Sequence, residues 1–421
     1  MSYPKIVKIR QQLDNTLVGD IDSVIRSELN GANISSRIKP GSRVAITAGS
    51  RGITDIVSVL ASITRRVKEI GASPFIVPAM GSHGGATAEG QEEVLKEYGI
   101  TESSVGAPIV SSMEVVQIGE TPSGIPVSID KNANGADHII AVNRIKPHTE
   151  FEGQIESGLM KIMVIGLGKH TGALIAHKYA VSLGYERTIT EIGQCILRNS
   201  PICLGVGIIE NGYGQTARIV AVAPENLYET EKKLLVEARK KVAKIPFDRM
   251  DVLIVDELGK EISGSGMDTK VIGRIMNIYE LEVNHPKITR IVLRDLSKKT
   301  RGNAVGVGLA DFVTKRVADK IDPVPTYINS ITGGSPEKGR LPMVYANDRE
   351  ALDAALATTG PVDSENVRIV WIRNTSKLGE MMISQGLLEE TQGKETLEII
   401  DEGKEMEFDR HGDLYSFWEN Q

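Results

Sequence analysis

Short apolar runs alternate with longer amphipathic segments along the first half of the chain. Residues 43–48 (RVAITA) and 74–79 (PFIVPA) are rich in apolar side chains, which predicts two buried strands. Between them, residues 55–70 space their apolar side chains at the period of an amphipathic helix. Residues 138–145 predict a third strand, and residues 172–198 predict a long helix. Strands that alternate with helices in this way are typical of α/β folds.

The same alternation starts again in the second half of the chain. Residues 226–244 predict an exposed helix that Pro246 ends, and DVLIVDEL at 251–258 predicts a new strand. The length of 421 residues corresponds to two domains, or three at most. We therefore predict two α/β domains, residues 1–245 and residues 246–421, with a ligand cleft between them.

Composition and charge exclude several classes of protein. The net charge is −6 and aromatic residues make up 4%, so we expect neither a basic surface nor an aromatic platform for nucleic acid. Cys195 and Cys203 do not have the spacing of zinc ligands. No apolar run approaches the roughly 18 residues of a membrane span, and the N-terminus lacks the apolar core of a signal peptide. We expect a cytoplasmic protein whose partner is a small molecule, and neither nucleic acid nor a membrane.

Histidine is scarce, with seven in 421 residues, yet His148, His170 and His177 lie within 30 residues of one another. Histidine titrates near neutral pH and binds transition metals in its neutral form, so such a cluster indicates metal binding or proton transfer. His148 follows one predicted strand, and His83 follows another in the loop GSHGG. Because ligands bind beyond the carboxyl ends of strands in open α/β sheets, both are candidates for acid/base chemistry in one crevice.

Two cationic residues accompany the histidines. Lys161 lies in the apolar stretch GLMKIMVIGLG, where it either extends its amine to solvent or serves as a buried nucleophile. Arg51 lies in the turn GSRG between a strand and a helix, where backbone N–H groups favour an anion and a guanidinium adds carboxylate recognition. A surface arginine at the start of a helix is the alternative interpretation of Arg51.

The segment 145–178, IKPHTEFEGQIESGLMKIMVIGLGKHTGALIAHK, resembles the nickel-dependent lactate racemase family. The GSHGG loop at 81–85, the arginine at 51 and the division into two domains share this resemblance. It implies a nickel-pincer nucleotide as cofactor, a pyridinium mononucleotide that binds nickel through one ring carbon and two sulfurs. Its thiocarboxylate is joined to a lysine as a thioamide, and dedicated cofactor-synthesis proteins are the implied partners.

The resemblance also implies roles for single residues. Lys161 is the tether, and His177, sixteen residues later, is the nickel ligand, with His170 as its rival. His83 and His148 are the acid/base pair, and Arg51 lies near the substrate. In the second domain the segment 257–274 supplies polar groups, among which Asp268 and Lys270 are the substrate-binding candidates beside Lys260 and Arg274.

The activity implied is racemisation or epimerisation of a small 2-hydroxy acid by hydride transfer. Two departures from the family pattern leave the substrate open: Ala48 stands where the family has an aspartate, and the gap between His148 and Lys161 is longer. Lactate, malate, longer aliphatic hydroxy acids and sugar acids all remain candidates.

Three other functions compete with this prediction. A metal-dependent hydrolase would use His148, His170 and His177 as ligands with a bound water. A small-molecule sensor would use the glycine-rich crevice for binding alone. A classical NAD dehydrogenase is disfavoured, because the turn after the first strand reads AGSRG and lacks GxGxxG.

Overall fold

The computed structural model describes residues 3–50 and 52–418 of the chain. Two compact units make up the fold: Asp14–Val242 forms one, and the segment up to Leu13 together with the segment from Ala243 onward forms the other. Each unit is built from helices and a mostly parallel sheet, which confirms the predicted α/β class. We refer to them as the first unit (14–242) and the second unit.

Fifteen strands form three sheets in the described part of the chain. They are β1 (Ile6–Gln11), β2 (Arg43–Ala48), β3 (Ser73–Pro78), β4 (Val115–Glu120), β5 (Pro126–Asp130), β6 (His138–Arg144), β7 (Ile202–Glu210), β8 (Thr216–Val222), β9 (Arg249–Leu258), β10 (Lys287–Leu296), β11 (Phe312–Thr314), β12 (Met343–Tyr345), β13 (Ile369–Ile372), β14 (Glu380–Ser384) and β15 (Leu397–Ile399).

Fifteen α-helical segments accompany these strands within residues 3–50 and 52–418. They are α1 (Ile21–Gly31), α2 (Ile34–Arg37), α3 (Ile56–Glu69), α4 (Ala88–Glu97), α5 (Glu102–Val105), α6 (Lys131–Asn134), α7 (Leu159–Lys161), α8 (Lys169–Leu183), α9 (Tyr185–Asn199), α10 (Pro224–Lys241), α11 (Thr269–Ile272), α12 (Lys315–Lys320), α13 (Pro323–Thr332), α14 (Asp348–Leu356) and α15 (Leu388–Thr391).

The main sheet of the first unit has the strand order β3-β2-β6-β7-β8. The first four strands are parallel, and β8 returns antiparallel to β7. Two apolar clusters pack in this unit: one includes Ile139 with Leu159 and Met163, and the other includes Ile46 with α3 residues such as Leu60. Because the chain leaves β2 for β3 on one side and later places β6 on its other side, the strand order reverses between β2 and β6.

The predicted helix at 172–198 is interrupted. Gly184 has φ of +79°, a conformation that favours glycine, and it separates α8 from α9. The periodicity of apolar residues continues across this break, so the sequence pattern alone did not reveal it.

The sheet of the second unit has the order β12-β11-β10-β9-β13-β14-β1-β15. The five strands β12, β11, β10, β9 and β13 are parallel to one another. Strand β1 lies between β14 and β15 and is antiparallel to both. Here the structure differs from the predicted first domain of residues 1–245, because Ile6–Gln11 completes the second unit's sheet. The buried side chains of Ile6 and Ile9 belong to the two apolar clusters of that unit.

Among the described residues, no single helix has the length and apolar composition needed to cross a membrane. One pair of helices, Leu159–Gly166 and Lys169–Leu183, meets that test on length and composition alone but is bent by 110°.

Candidate active site

Three loops converge where the strand order of the first unit reverses. Ser50 follows β2, His83 follows β3, and His148 follows β6, all at the carboxyl ends of parallel strands. Ligands of open α/β sheets bind in the crevice at such a reversal, so this edge is the candidate site. Arg51, the predicted anion-binding arginine, lies outside the described residues.

Close backbone packing shapes the His83 loop. Gly84 has φ of +64° and lies against the backbone of Gly90 in α4, where a Cβ atom would overlap with main-chain atoms. The His83 ring contacts the Ser50 hydroxyl through Nδ1. Sequence reasoning did not single out Ser50, although it immediately precedes Arg51 in the same turn.

His148 is fixed in place by its own loop. The backbone N–H of Glu150 donates to Nδ1 at 3.0 Å, and the ring of Phe151 lies 4.7 Å from the imidazole. The backbone N–H of His148 donates to Glu156, a buried carboxylate that also contacts Arg239. These contacts point Nε2 of His148 at the amine of Lys161.

The contact between His148 and Lys161 joins Nε2 of the ring to the amine. Because the Glu150 N–H is a donor, Nδ1 must carry a lone pair, and a neutral imidazole then holds its proton on Nε2. A hydrogen bond from Nε2–H to Nζ requires a lone pair on the lysine nitrogen. The nucleophilic form of a lysine is its neutral amine, and that form is able to accept the Nε2–H of His148.

Lys161 ends α7, which continues into one π-helical turn at Ile162–Gly166, a rare element that is frequent at functional sites. Its side chain lines a small cavity of about 20 Å³ together with His148 and His177. Tyr185 also lines the cavity, and most of the remaining wall is apolar.

The His83 loop adjoins this cavity. Gly81 approaches Ile165, one of the lining residues, so closely that a Cβ on Gly81 would lie 3.1 Å from its side chain. The Gly81 N–H donates to the carbonyl of Gly166 at 3.4 Å. The loop that carries His83 thus packs directly on the segment that follows Lys161.

His177 and His170 occupy different surroundings. Burial, together with a smaller effect of the positive charge of Lys161, lowers the pKa of His177 to about 4, so its imidazole is neutral at physiological pH. Its Nδ1 lies 3.4 Å from the Tyr185 hydroxyl. His170 does not line the cavity, and its Nδ1 is buried without a hydrogen-bond partner. The structure therefore brings together Lys161, His148 and His177, and it leaves His170 apart.

A buried carboxyl supports the start of α7. Glu231 of α10 accepts the N–H of Met160 at 2.8 Å, and burial raises its pKa to about 8. Its other oxygen has no hydrogen-bond partner and lies against Gly158, where a side chain would overlap with it. Sequence reasoning missed Glu231, but a signal was present: it stands four residues after Leu227 and three before Leu234 on the buried stripe of α10.

The hydrolase alternative requires three protein ligands on one metal ion. Across residues 3–50 and 52–418, no group of three histidine, cysteine, aspartate or glutamate side chains is arranged to hold one. His148 and His177 line one cavity and His170 does not, and the predicted three-histidine set is not found among the described residues.

The candidates of the second unit lie after β9, at the reversal between β9 and β13. Asp268 caps α11 by accepting the backbone N–H of Lys270 at 3.0 Å, and its own N–H donates to Thr375 at 2.9 Å. Lys260 donates to the carbonyl of Gly264 at 2.8 Å. Arg274 instead forms an ion pair with Asp311 at 2.8 Å and also donates to backbone carbonyls, which accounts for it structurally.

Comparison with known proteins bears on this site. Residues 6–187 match the family described as the lactate racemase N-terminal domain. A crystal structure of a protein from Thermotoga maritima is similar with a TM-score of 0.51 and 13% identity, over 87% of this chain and 99% of that chain. The lactate racemase apoprotein from Thermoanaerobacterium thermosaccharolyticum aligns with a TM-score of 0.45 and 13% identity, over 88% and 89% of the two chains. No curated protein matches the sequence significantly.

Proposed function

Residues 6–187 of this chain belong to the lactate racemase N-terminal domain family, as the sequence predicted, and from this premise we propose that the protein racemises or epimerises a small 2-hydroxy acid. We further propose that it uses a nickel-pincer nucleotide tethered to Lys161. The observation that carries the proposal is the cavity shared by Lys161, His148 and His177.

The residues of this cavity fit such a cofactor. A tethered group of this kind needs one amine for attachment and one imidazole for the metal, because its own carbon and sulfur atoms supply the other ligands. Lys161 would hold it covalently through the amine that lines the cavity beside His148. His177 would bind nickel, since burial keeps its imidazole neutral and soft sulfur ligands with imidazole suit nickel.

When bound, the pyridinium ring supplies a hydride acceptor that the chain's own side chains lack. The protein's residues then manage the proton of the substrate hydroxyl. His148 and His83 lie on loops from two different strands, so each can serve one face of a planar 2-keto acid. Phe151 and the other apolar lining residues limit water at His148, which keeps its proton transfers with the substrate.

Arg51, Asp268 and Lys270 remain proposals as substrate-binding residues. Arg51 is among them because a guanidinium suits the recognition of the substrate carboxylate. We propose cofactor-synthesis proteins as the partners that load Lys161, because the chain offers the attachment residue but the pincer group requires separate synthesis.

Mass spectrometry tests the attachment. Protein from a host that makes the cofactor should carry an added mass on the peptide containing Lys161, and Lys161→Ala should lack it. Lys178→Ala is the matched control, because Lys178 is an exposed lysine of the adjacent helix α8 and should leave the adduct intact. An adduct on another lysine, with activity retained in Lys161→Ala, would contradict the proposal.

A labelled substrate tests the reaction. A 2-deuterated 2-hydroxy acid should invert with its deuterium largely retained, because hydride transfer keeps the hydrogen away from solvent. The panel should include lactate, malate and sugar acids, since Ala48 and the loop between His148 and Lys161 depart from the family pattern. Rapid exchange of deuterium with water would indicate proton abstraction instead and would refute the hydride route.

A further inference from the structure

A fully buried polar cluster lies behind the His83 loop and has no place in the chemistry described above. Its members are Lys169, Asp130 and Gln91, each with a side chain closed to solvent. The Lys169 amine lies 3.3 Å from the Asp130 carboxylate and donates to the Gln91 side-chain oxygen at 3.1 Å. It also donates to the backbone carbonyl of Pro78, the last residue of β3.

The cluster ends on the backbone of the His83 loop. The side-chain amide of Gln91 donates to the carbonyl of Gly81 at 2.9 Å and to the carbonyl of His83 at 3.3 Å. Together with the bond from Lys169 to Pro78, these contacts hold the segment 78–83 at its first residue, at Gly81 and at His83 itself. Each is a directional hydrogen bond, which defines the path of a loop more narrowly than apolar packing does.

Lys169 reaches this position through an uncommon backbone conformation. It begins α8, the helix that carries His177, and its φ of +54° is rare for a residue with a side chain. Such a conformation is strained and persists only where surrounding contacts determine it. Burying an ion pair in place of apolar residues is also no general route to stability. The left-handed conformation of Lys169 and its buried ion pair both indicate that the position of its amine is required for a defined geometry of the surrounding loop.

We infer that Lys169 and Gln91 are positioning residues, which hold His83 at a set place relative to the Lys161–His177 segment. The inference rests on the proposed function, in which His83 transfers a proton. Lys169 belongs to the segment that carries the tether and the nickel ligand, and Gln91 belongs to α4 beyond the His83 loop. The bridge between them therefore couples the two sides of the site without touching the substrate.

Gln91→Met tests this inference, because it keeps the approximate volume and removes both the donor and the acceptor. In loaded enzyme we expect kcat to fall about 10- to 100-fold in both directions, as displacement of a catalytic group by about 1 Å produces. KM should change less than about threefold, and the added mass on Lys161 should be unchanged. Gln117→Met, at an exposed position of β4, is the matched control.

A double-mutant cycle separates positioning from general support of the fold. In a His83→Gln background, Gln91→Met should cause no further loss of kcat, since it acts only through the missing histidine. An equal loss in both backgrounds, or wild-type kcat in the single variant, would overturn the inference. If Gln91→Met fails to fold, Gln91→Glu replaces it, because a carboxylate still accepts from Lys169 but cannot donate to the loop carbonyls.

Hydrogen exchange of cofactor-free protein gives a readout that does not depend on activity. Amides of residues 79–87 should exchange at least about tenfold faster in Gln91→Met than in the wild type, while the amides of α10 should not change. Unchanged protection of 79–87 would overturn the inference even if no 2-hydroxy acid is inverted. Faster exchange with no inversion by loaded wild-type enzyme would instead support the positioning contact and refute the proposed function.

Discussion

Glu231→Gln is the substitution whose effect the structure defines most sharply. The Glu231 carboxyl is buried beneath α7, accepts the Met160 N–H and is held neutral because burial raises its pKa to about 8. Glutamine keeps the shape and the acceptor oxygen but cannot ionise. The substitution therefore removes the titration of this group from both the folded and the unfolded state and leaves the packing around Gly158 in place.

The size and sign of the effect follow from proton linkage. Below pH 4.5 both the folded and the unfolded wild type hold the Glu231 proton, so the group contributes no pH dependence. Between pH 4.5 and about 8 the unfolded chain loses this proton while the folded chain keeps it, and wild-type stability falls by up to about 1.4 kcal/mol per pH unit. The total loss of wild-type stability due to Glu231 approaches about 5 kcal/mol and does not grow above pH 8.

Urea unfolding of cofactor-free protein at several pH values between 4.5 and 8.5 measures this effect. The free energy of unfolding of Glu231→Gln, minus that of the wild type, should rise across this range by several kcal/mol, so that the variant is the more stable protein at pH 8. Glu229→Gln is the matched control, because Glu229 is exposed on the same helix. A difference that stays constant with pH would refute the reasoning, since it would mean that Glu231 titrates alike in both states.

Three further predictions concern the site and its support. Lys169→Met should lower the free energy of unfolding by about 3–5 kcal/mol in urea titrations, because it leaves the Asp130 carboxylate buried without its cation. His177→Ala should lose nickel in metal analysis while peptide mapping still finds the organic adduct; loss of nickel from His170→Ala instead would reverse the assignment. His83→Gln should slow inversion in both directions by about 10²–10⁴-fold, and a loss in one direction only would argue against a shared acid/base pair.

The elements around the site were predictable from local patterns. The apolar runs at 43–48, 74–79 and 138–145 correspond to β2, β3 and β6, because a strand buried on both faces is apolar along its length. Once the strands are predicted, the loops after them are predicted too. The position of His83 and His148 at one edge of the sheet is then expected as well. Lys161 and His177, which the sequence resemblance paired by their spacing, line one cavity in the structure.

Other features depended on partners far away in the sequence. Strand β1 joins the second unit because it pairs with β14, at least 370 residues away, and nothing in its own pattern indicates that partner. Glu231 contacts the Met160 N–H only because α10 packs under α7, some 70 residues earlier in the chain. The ion pair of Lys169 with Asp130 connects the first turn of α8 to the end of β5, and neither residue is conspicuous in the sequence by itself.

The sequence by itself determined which residue types are available for chemistry and where the strands that present them end. Only the tertiary structure decided which of those residues share a cavity, so that His177 lies with Lys161 and His170 does not. It also decided the ionisation of buried groups such as Glu231, because a pKa depends on the solvent and charges that remain after folding. Local periodicity records burial along one element, whereas hydrogen bonding between elements requires the distances that the whole fold sets.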